Sequence, residues 1–203
     1  MPKVVDREEK RRIILRAAMT VFARKGVIKT RASDIAREAG VGKGTIYEYF
    51  RSKEAIFSAA FQFFFENLSG KILESLSRTD DPEEKLRIII EESLYGLLQD
   101  DGKFAGLIME FWAEGVRKKE EAILGPAELN AIYSEFRTFI AEVIRDGIAQ
   151  GVFETVDPGM TASIIIAALD GIGLQWILDQ RLFDLKIIAG QIHETLLKGI
   201  RKN

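Results

Sequence analysis

Residues 30–65 constrain the fold more than any other part of the chain, because two short helical patterns lie there on either side of Gly40. Ile35 and Ala36 fall on one face of the first pattern, and Ile46 falls on the matching face of the second. A turn of about three or four residues between two short helices needs a residue that tolerates positive φ, which favours glycine. The spacing therefore predicts a helix-turn-helix, followed by the start of a long helix.

The outward face of the second predicted helix carries small, basic and hydroxyl-bearing side chains. These residues are Gly42, Lys43, Gly44, Thr45, Tyr47 and Glu48. Side chains of these kinds suit a helix that lies in a DNA major groove. An ordinary helical hairpin with a solvated face has the same spacing, so this alternative stays open on spacing alone.

The distribution of charge favours the DNA-binding interpretation. The net charge of the whole chain is −2, which by itself argues against a nucleic-acid partner. Residues 1–53, however, contain 14 Lys+Arg and 6 Asp+Glu, a net charge of +8, whereas residues 54–203 have a net charge of −10. A basic head on an acidic body indicates that the head, and not the body, meets a polyanion. It argues against the alternative function, a helical small-molecule-binding or scaffold protein that does not act on DNA.

The remainder of the chain shows helical periods separated by turn signals, and no strand pattern. Asp81 and Asp157 each precede a proline, which predicts two capped helix starts. Residues 157–180 are apolar nearly all round, so this helix is expected to be buried in the subunit or against a partner. The sequence predicts an all-α fold of about nine to ten helices, with a three-helix head at residues 1–52 and a helical body at residues 53–203.

Residues near two of the predicted helix starts are candidates for phosphate contacts. Thr30 is expected to cap the second helix, where free backbone N–H groups attract anions, so Thr30, Arg31 and Ser33 are candidates. Ser52 is expected to cap the fourth helix, and Lys53 lies in its first turn, where a positive charge is unfavourable. A nearby phosphate would relieve that conflict, although a solvated lysine is the simpler alternative.

Composition argues against an enzyme or a metal site. The chain has no cysteine and a single histidine, His193, so disulfides and thiolate ligands are excluded. A lone histidine in a helix is more often structural than catalytic. Residues 42–45 superficially resemble a phosphate-binding loop, but no predicted strand precedes them. We therefore expect no enzymatic activity, no metal and no cofactor.

No targeting signal is recognisable in the sequence. Residues 1–12 are charged and lack the apolar core of a signal peptide. No apolar run approaches the roughly 20 residues that span a bilayer. These two observations predict a cytoplasmic protein with no membrane partner.

The head resembles the TetR family of bacterial transcriptional repressors. The residues that carry the resemblance are Thr30, 34–36, 39–41, 43–47, 49–50, 52–54 and Phe57. It implies a homodimer that places two recognition helices in successive major grooves of a palindromic operator, on double-stranded DNA. It also implies that a small molecule bound in the body releases the DNA. Residues 1–52 are then the DNA-binding domain, and residues 53–203 the ligand-binding and dimerisation domain.

By the same resemblance, individual residues acquire expected roles. Thr30 and Lys53 are expected to contact phosphates. The expected contacts to bases and backbone come from Lys43, Gly44, Thr45 and Tyr47, whereas Tyr49 is expected to be partly packed. Gly42 and Glu48 depart from the family pattern. Gly42 lacks the capping hydroxyl that is frequent there, and Glu48 either accepts from a cytosine amino group or faces away from DNA.

The body has more aromatic residues than a minimal helical bundle needs, and apolar spaces between helices often bind ligands. For each single residue, a place in the core is the simpler alternative. The effector is expected to be small and largely apolar. Glu110 and Asp170 lie in otherwise apolar helices, and if they are buried they need partners and are candidates to orient a donor or a cation on the effector. Positions on exposed strips, or at a glycine-rich turn of helix that they cap, are the alternatives. The pocket candidates are Phe61, Phe64, Tyr95, Phe104, Met109, Phe111, Trp112, Tyr133, Asp170 and Trp176.

The resemblance also implies that two long helices, at residues 127–150 and 157–180, form a four-helix bundle with their copies in the partner subunit. The candidate interface residues are a subset of the apolar residues of these two helices. They are Phe136, Ile140, Ile144, Ile165, Leu169, Ile172 and Trp176.

Overall fold

The structure is a computed structural model that describes residues 6–98, 105–115 and 126–202. In these residues the chain forms nine α-helices and no strand, which confirms the predicted all-α fold. One isolated antiparallel bridge joins Phe153 to Arg201. The helices are α1 (Arg7–Lys25), α2 (Ala32–Glu38), α3 (Lys43–Tyr49), α4 (Lys53–Leu76), α5 (Pro82–Tyr95), α6 (Ala105–Gly115), α7 (Pro126–Ala149), α8 (Pro158–Leu178) and α9 (Leu185–Ile200).

Short polar side chains begin most of these helices, as local chemistry dictates. The Asp81 carboxylate accepts from the Glu83 N–H at 3.0 Å, and the Asp157 carboxylate accepts from the Met160 N–H at 2.8 Å. In both cases proline is the first helical residue, where its missing N–H has no helical partner to lose. These contacts confirm the two predicted helix starts.

The chain divides into two compact units, which differ from the two predicted domains. One unit comprises residues 1–66 and 100–129, and the other comprises residues 67–99 and 130–203. The boundary at residue 66 falls inside α4, because the first half of that helix packs its aromatic side chains in the first unit. The functional division at residues 52 and 53 stays a prediction.

The first unit has an aromatic core built from α1, α4 and α6. The Phe57 ring lies 5.3 Å from the Phe22 ring and 5.1 Å from the Phe111 ring, between centroids. The Phe61 and Phe111 rings meet edge to face at 4.3 Å. All four side chains are at most 2% exposed. Edge-to-face pairs of this kind add to the free energy gained from burial alone, so these rings fix α6 against α1 and α4.

In the second unit α5 packs along α9. The Arg201 guanidinium, just after α9, forms an ion pair with the Glu83 carboxylate at the start of α5. His193 is buried on α9, and its Nε2 lies 3.4 Å from the Glu83 carbonyl oxygen. The single histidine therefore has a structural setting. In the described residues no group of three or more His, Cys, Asp and Glu side chains could hold a metal ion.

The helix α8 corrects one prediction and leaves a second one open. By length and composition it is apolar enough to cross a membrane, with a mean hydropathy of 1.6, so the statement that no apolar run approaches this length was wrong. One such helix is weak support for a membrane span, since core helices pass the same test. Within the single chain, Met160, Ile164 and Leu178 are exposed along one face of α8, so burial of this face against a partner stays a prediction.

Candidate nucleic-acid interface

The turn between α2 and α3 has the predicted geometry. Gly40 adopts a φ of +65°, a conformation that side chains with a Cβ rarely adopt. The Val41 N–H donates to the Ala36 carbonyl at 2.9 Å and closes the turn. Ile35 and Ile46 are fully buried. The two helices thus pack through the residues that the spacing predicts, and the opposite face of α3 is left outside the core.

That outward face of α3 is exposed at most positions. Lys43, Gly44, Tyr47 and Glu48 are exposed, and Thr45 is half-buried. A Cβ added to Gly44 would meet no atom within 4 Å, so the backbone here is open to close approach by a ligand. The Lys43 ammonium lies 6.0 Å from the centre of the Tyr47 ring. The predicted contacts of these residues with DNA are therefore sterically accessible, and both roles considered for Glu48 stay open.

The start of α2 differs from the prediction for Thr30. The N-cap residue is Arg31, so Thr30 does not cap this helix. Thr30 is only 2% exposed, its hydroxyl donates to the Gly26 carbonyl at 2.7 Å, and its N–H donates to the Val27 carbonyl at 3.3 Å. Both donors are used inside the loop, so the geometry gives no support to a phosphate contact by Thr30. Arg31 and Ser33 are exposed and stay candidates.

An acidic residue organises the same helix start. The Asp34 carboxylate accepts from the Arg31 N–H at 3.1 Å, and it pairs with the Lys25 ammonium at 3.0 Å and the Arg37 guanidinium at 2.9 Å. The hydrogen bond from Lys25, then that from Arg31, lowers the pKa of Asp34 below its usual value. The carboxylate therefore stays ionised near neutral pH and holds two cations beside the α2 N-terminus.

Lys53 is the first residue of α4 and is held by the loop before α2. Its ammonium donates to the Ile28 carbonyl at 3.2 Å, and the side chain is half-buried. The Ser52 hydroxyl accepts from the Ala55 N–H at 3.1 Å, which confirms the predicted cap of α4. The positive charge is thus anchored at one place rather than loosely solvated, and a phosphate contact at Lys53 stays a prediction.

Two arginines at this surface did not figure in the sequence-based interpretation. The Arg7 guanidinium carbon lies 5.8 Å from the centre of the Tyr49 ring, and that of Arg11 lies 5.9 Å from the centre of the Phe50 ring. Tyr49 is half-buried, as expected. The sequence alone could have singled out these two arginines, because Arg7 and Arg11 continue the spacing of the buried stripe of α1.

The predicted ligand-pocket residues fall into both units, and each unit is described separately. Phe61, Phe64 and Phe111 are buried in the aromatic core of the first unit, where Met109 and Trp112 are half-buried. Tyr95, Tyr133, Asp170 and Trp176 belong to the second unit. Phe104 lies outside the described residues. A shared ligand pocket therefore stays a prediction.

Asp170 is the acidic residue of the apolar α8, and it has a partner in the second unit. The Tyr133 hydroxyl donates to the Asp170 carboxylate at 2.8 Å. Burial raises the pKa of Asp170 above its usual value, and the hydrogen bond from Tyr133 lowers it in part. The pair satisfies the need of a partly buried carboxylate for a donor, and it holds α7 against α8.

The residues predicted for the dimer interface are mostly turned inward. Ile140, Ile144, Ile165, Leu169 and Trp176 are buried within the chain. A side chain that is already buried supplies no contact area to a partner while the chain keeps this conformation. Phe136 and Ile172 are half-buried. The dimer itself stays a prediction, and a dimer interface on this conformation of the chain has to be formed mainly by exposed residues.

A basic head that exposes one face of the second helix of a helix-turn-helix, on an acidic helical body, defines a DNA-binding transcriptional regulator. Comparison with protein families agrees with this class. The family described as bacterial regulatory proteins, tetR family, matches residues 14–60, and the family described as BetI-type transcriptional repressor, C-terminal, matches residues 82–198. The chain belongs to the TetR family, as the resemblance of its head indicates.

Relatives and solved structures extend over nearly the whole chain. A fatty acid metabolism regulator protein from Bacillus subtilis is 25% identical over 189 residues, which cover 92% of this chain and 93% of that protein. A transcriptional regulator from Saccharomonospora viridis in complex with choline is 26% identical, with a TM-score of 0.84, over 97% of this chain and 100% of that one. The regulator FadR from Bacillus subtilis in complex with stearoyl-CoA is 25% identical, with a TM-score of 0.76, over 94% of this chain and 99% of that one.

Proposed function

We propose that this regulator is a repressor that binds a palindromic operator as a homodimer and leaves the DNA when a small molecule binds its body. The observation that carries the proposal is the exposed face of α3, with Lys43, Gly44 and Tyr47, on a head of net charge +8. A basic surface supplies affinity for phosphates, and a helix of this kind supplies contacts to base edges.

The exposed apolar face of α8 supports a second copy of this chain as the partner. Met160, Ile164 and Leu178 are exposed at helical spacing, and Ala167 and Gly171 lie on the same face. A Cβ added to Gly171 would meet no atom within 4 Å, so there is room for another backbone to approach. A two-fold dimer uses the same patch on both subunits, and two heads on a two-fold axis match a palindromic operator.

Control by a bound molecule is supported by two similar proteins that carry ligands, whereas the small and largely apolar character of the effector is our expectation from the aromatic residues of the body. One of these proteins holds choline, which is a small cation, and the other holds stearoyl-CoA, which joins a long hydrocarbon chain to a polyanionic head. In this chain the partly buried Asp170, paired with Tyr133, could face a donor or a cation on such a molecule. The body would then take an effector whose polar end meets this pair.

Binding to DNA is tested first by its dependence on salt. We expect the wild-type protein to bind the duplex upstream of its own gene with an affinity that falls steeply as KCl rises, because several cations displace counterions. Fluorescence anisotropy on that duplex and on a random duplex of equal length measures both affinities. A protein that shows no salt-sensitive binding to any duplex would contradict the proposal.

Two variants then separate base recognition from phosphate contact. We expect Tyr47→Ala to weaken operator binding about 10- to 100-fold more than random binding, because a side chain near base edges carries specificity. Lys53→Ala should weaken both about equally and reduce the slope of log K against log [KCl] by about 0.9. Arg78→Ala, which removes an exposed cation outside the head, is the charge-matched control. Equal losses for Tyr47→Ala on both duplexes would refute its role in specificity.

Effector control is tested by the molecule that the protein carries. We expect mass spectrometry of protein purified under non-denaturing conditions to show a small, largely apolar molecule, and protein freed of it to bind the operator more tightly. Added choline and added stearoyl-CoA then serve as defined probes, read out by release of the labelled operator. A bound molecule that tightens DNA binding would show that ligand and DNA bind cooperatively, which contradicts the proposed release of DNA by the ligand.

A further inference from the structure

The N-terminal half of α1 carries two arginines where the helix would ordinarily be apolar. Ile14, Ala18 and Phe22 form a stripe that is fully buried against the core of the head. The same spacing, continued toward the N-terminus, arrives at Arg11 and Arg7. A helix stripe that packs on its neighbours is normally apolar, so two cations in that register indicate a function other than packing alone.

Both arginines lie over aromatic rings at the end of the recognition helix. Arg7 lies over Tyr49, the last residue of α3, and Arg11 lies over Phe50, which follows it. The distances of 5.8 and 5.9 Å between guanidinium carbon and ring centre are within the range of cation–π attraction. A stacked guanidinium keeps its N–H donors in the plane of the group, where they can still reach an anion.

The charge on these arginines is not balanced by a carboxylate within the described part of the chain. On the same helix Glu9 forms its ion pair with Arg12, at 3.7 Å. Lys25, at the opposite end of α1, and Arg37, on α2, are in contrast both paired with Asp34. Arg7 is exposed and Arg11 half-buried, beside the exposed face of α3. Two adjacent guanidinium groups with open donors suit phosphate oxygens, which they bind in bidentate geometry.

We propose that Arg7 and Arg11 form a phosphate-binding clamp, which extends the DNA interface from α3 onto α1. The clamp binds backbone phosphates beside the groove that receives α3, and the rings of Tyr49 and Phe50 hold the two guanidinium groups in place. In this arrangement Tyr49 is a positioning residue. The clamp rests on the proposed function, because it requires α3 to lie on DNA, and it adds affinity that is independent of sequence.

The experiment uses the full chain and a random-sequence duplex of 30 base pairs, so it does not require the operator. In the double variant R7M/R11M, methionine keeps an apolar contact with the two rings and removes both charges. We expect the slope of log K against log [KCl] to become shallower by about 1.8, which is two phosphate contacts. The double variant R7K/R11K keeps the charges without the planar stacking group, and it should retain the wild-type slope.

The matched control is R12M/R16M, which removes two cations from the opposite face of the same helix. Arg12 and Arg16 are both exposed, and their loss should leave the slope unchanged. The melting temperature of every variant is measured in parallel. A purely structural role predicts a lower melting temperature for R7M/R11M with the wild-type slope, and that result overturns the clamp. If the wild-type protein itself binds no duplex, the proposed function fails and the clamp fails with it.

Discussion

Replacing Ile164 by glutamate is expected to separate the proposed homodimer into monomers and to abolish tight operator binding. Ile164 is 58% exposed on the apolar face of α8. In a two-fold interface each substitution occurs twice, so two carboxylates would be desolvated against apolar surface and against each other. Burying unpaired charge costs several kcal/mol. We expect the dimer dissociation constant to rise about 1,000-fold, which corresponds to roughly 4 kcal/mol, as measured by sedimentation velocity over a range of concentrations.

The matched control for this substitution is Leu73→Glu. Leu73 is 57% exposed on α4, so the change of chemistry and the exposure are nearly the same. Glutamate is a good helix former, and neither variant should lose helicity. We expect L73E to remain a dimer with wild-type operator affinity. An I164E protein that stays dimeric at low micromolar concentration would place the interface on another surface.

The burial of Ile165 and Leu169 within the chain shows what periodicity can and cannot determine. The sequence correctly indicates that α8 is apolar on most of its circumference. It does not indicate which side turns inward, because Ile165 and Leu169 on one side are chemically equivalent to Ile164 on the other. The inward side is selected by packing on α5 and α9, which depends on residues far away in the chain.

Helix boundaries, in contrast, follow from contacts within a few residues. Ser52, Asp81 and Asp157 each accept a hydrogen bond from an N–H two or three residues later, so a short stretch of sequence contains both partners. Gly40 is similar, since its φ of +65° is set by the tight turn in which it lies. These features of the head and of the body could therefore be predicted before the fold was known.

Two features of the candidate interface, at Thr30 and at Arg7, differ from the interpretation of the sequence for separate reasons. Thr30 has the right residue type and position for a cap, but its hydroxyl turns toward the Gly26 carbonyl at the end of α1. Arg7 lies over an aromatic ring only because the end of α3 brings Tyr49 beside it. The Thr30 contact is local, but residue type alone does not distinguish it from a helix cap. The Arg7 contact depends on how α1 crosses the helix-turn-helix, which local propensity does not contain.

The second large effect is expected at Phe111, where truncation to alanine should lower the free energy of unfolding by about 3–5 kcal/mol. Phe111 is 1% exposed, and its ring lies within 6.4 Å of the rings of Phe57, Phe61, Phe64 and Phe65, between centroids. The substitution removes those contacts and leaves a cavity that rigid neighbours fill only in part. Denaturant unfolding followed by circular dichroism measures the loss, with the slope m compared to confirm that the unfolded state is unchanged.

Phe111→Leu is the graded control, because leucine keeps most of the apolar volume and should cost less than about 1.5 kcal/mol. The pair of variants also decides between the two roles considered for Phe111, core residue and pocket lining. A ring that faces an open ligand cavity already lacks neighbours on that side, so its truncation forfeits few contacts. A small loss of unfolding free energy for F111A would therefore indicate that Phe111 lines the effector site. A large loss assigns it to the core that holds α6 against α1, and any effector pocket must then be lined by other side chains.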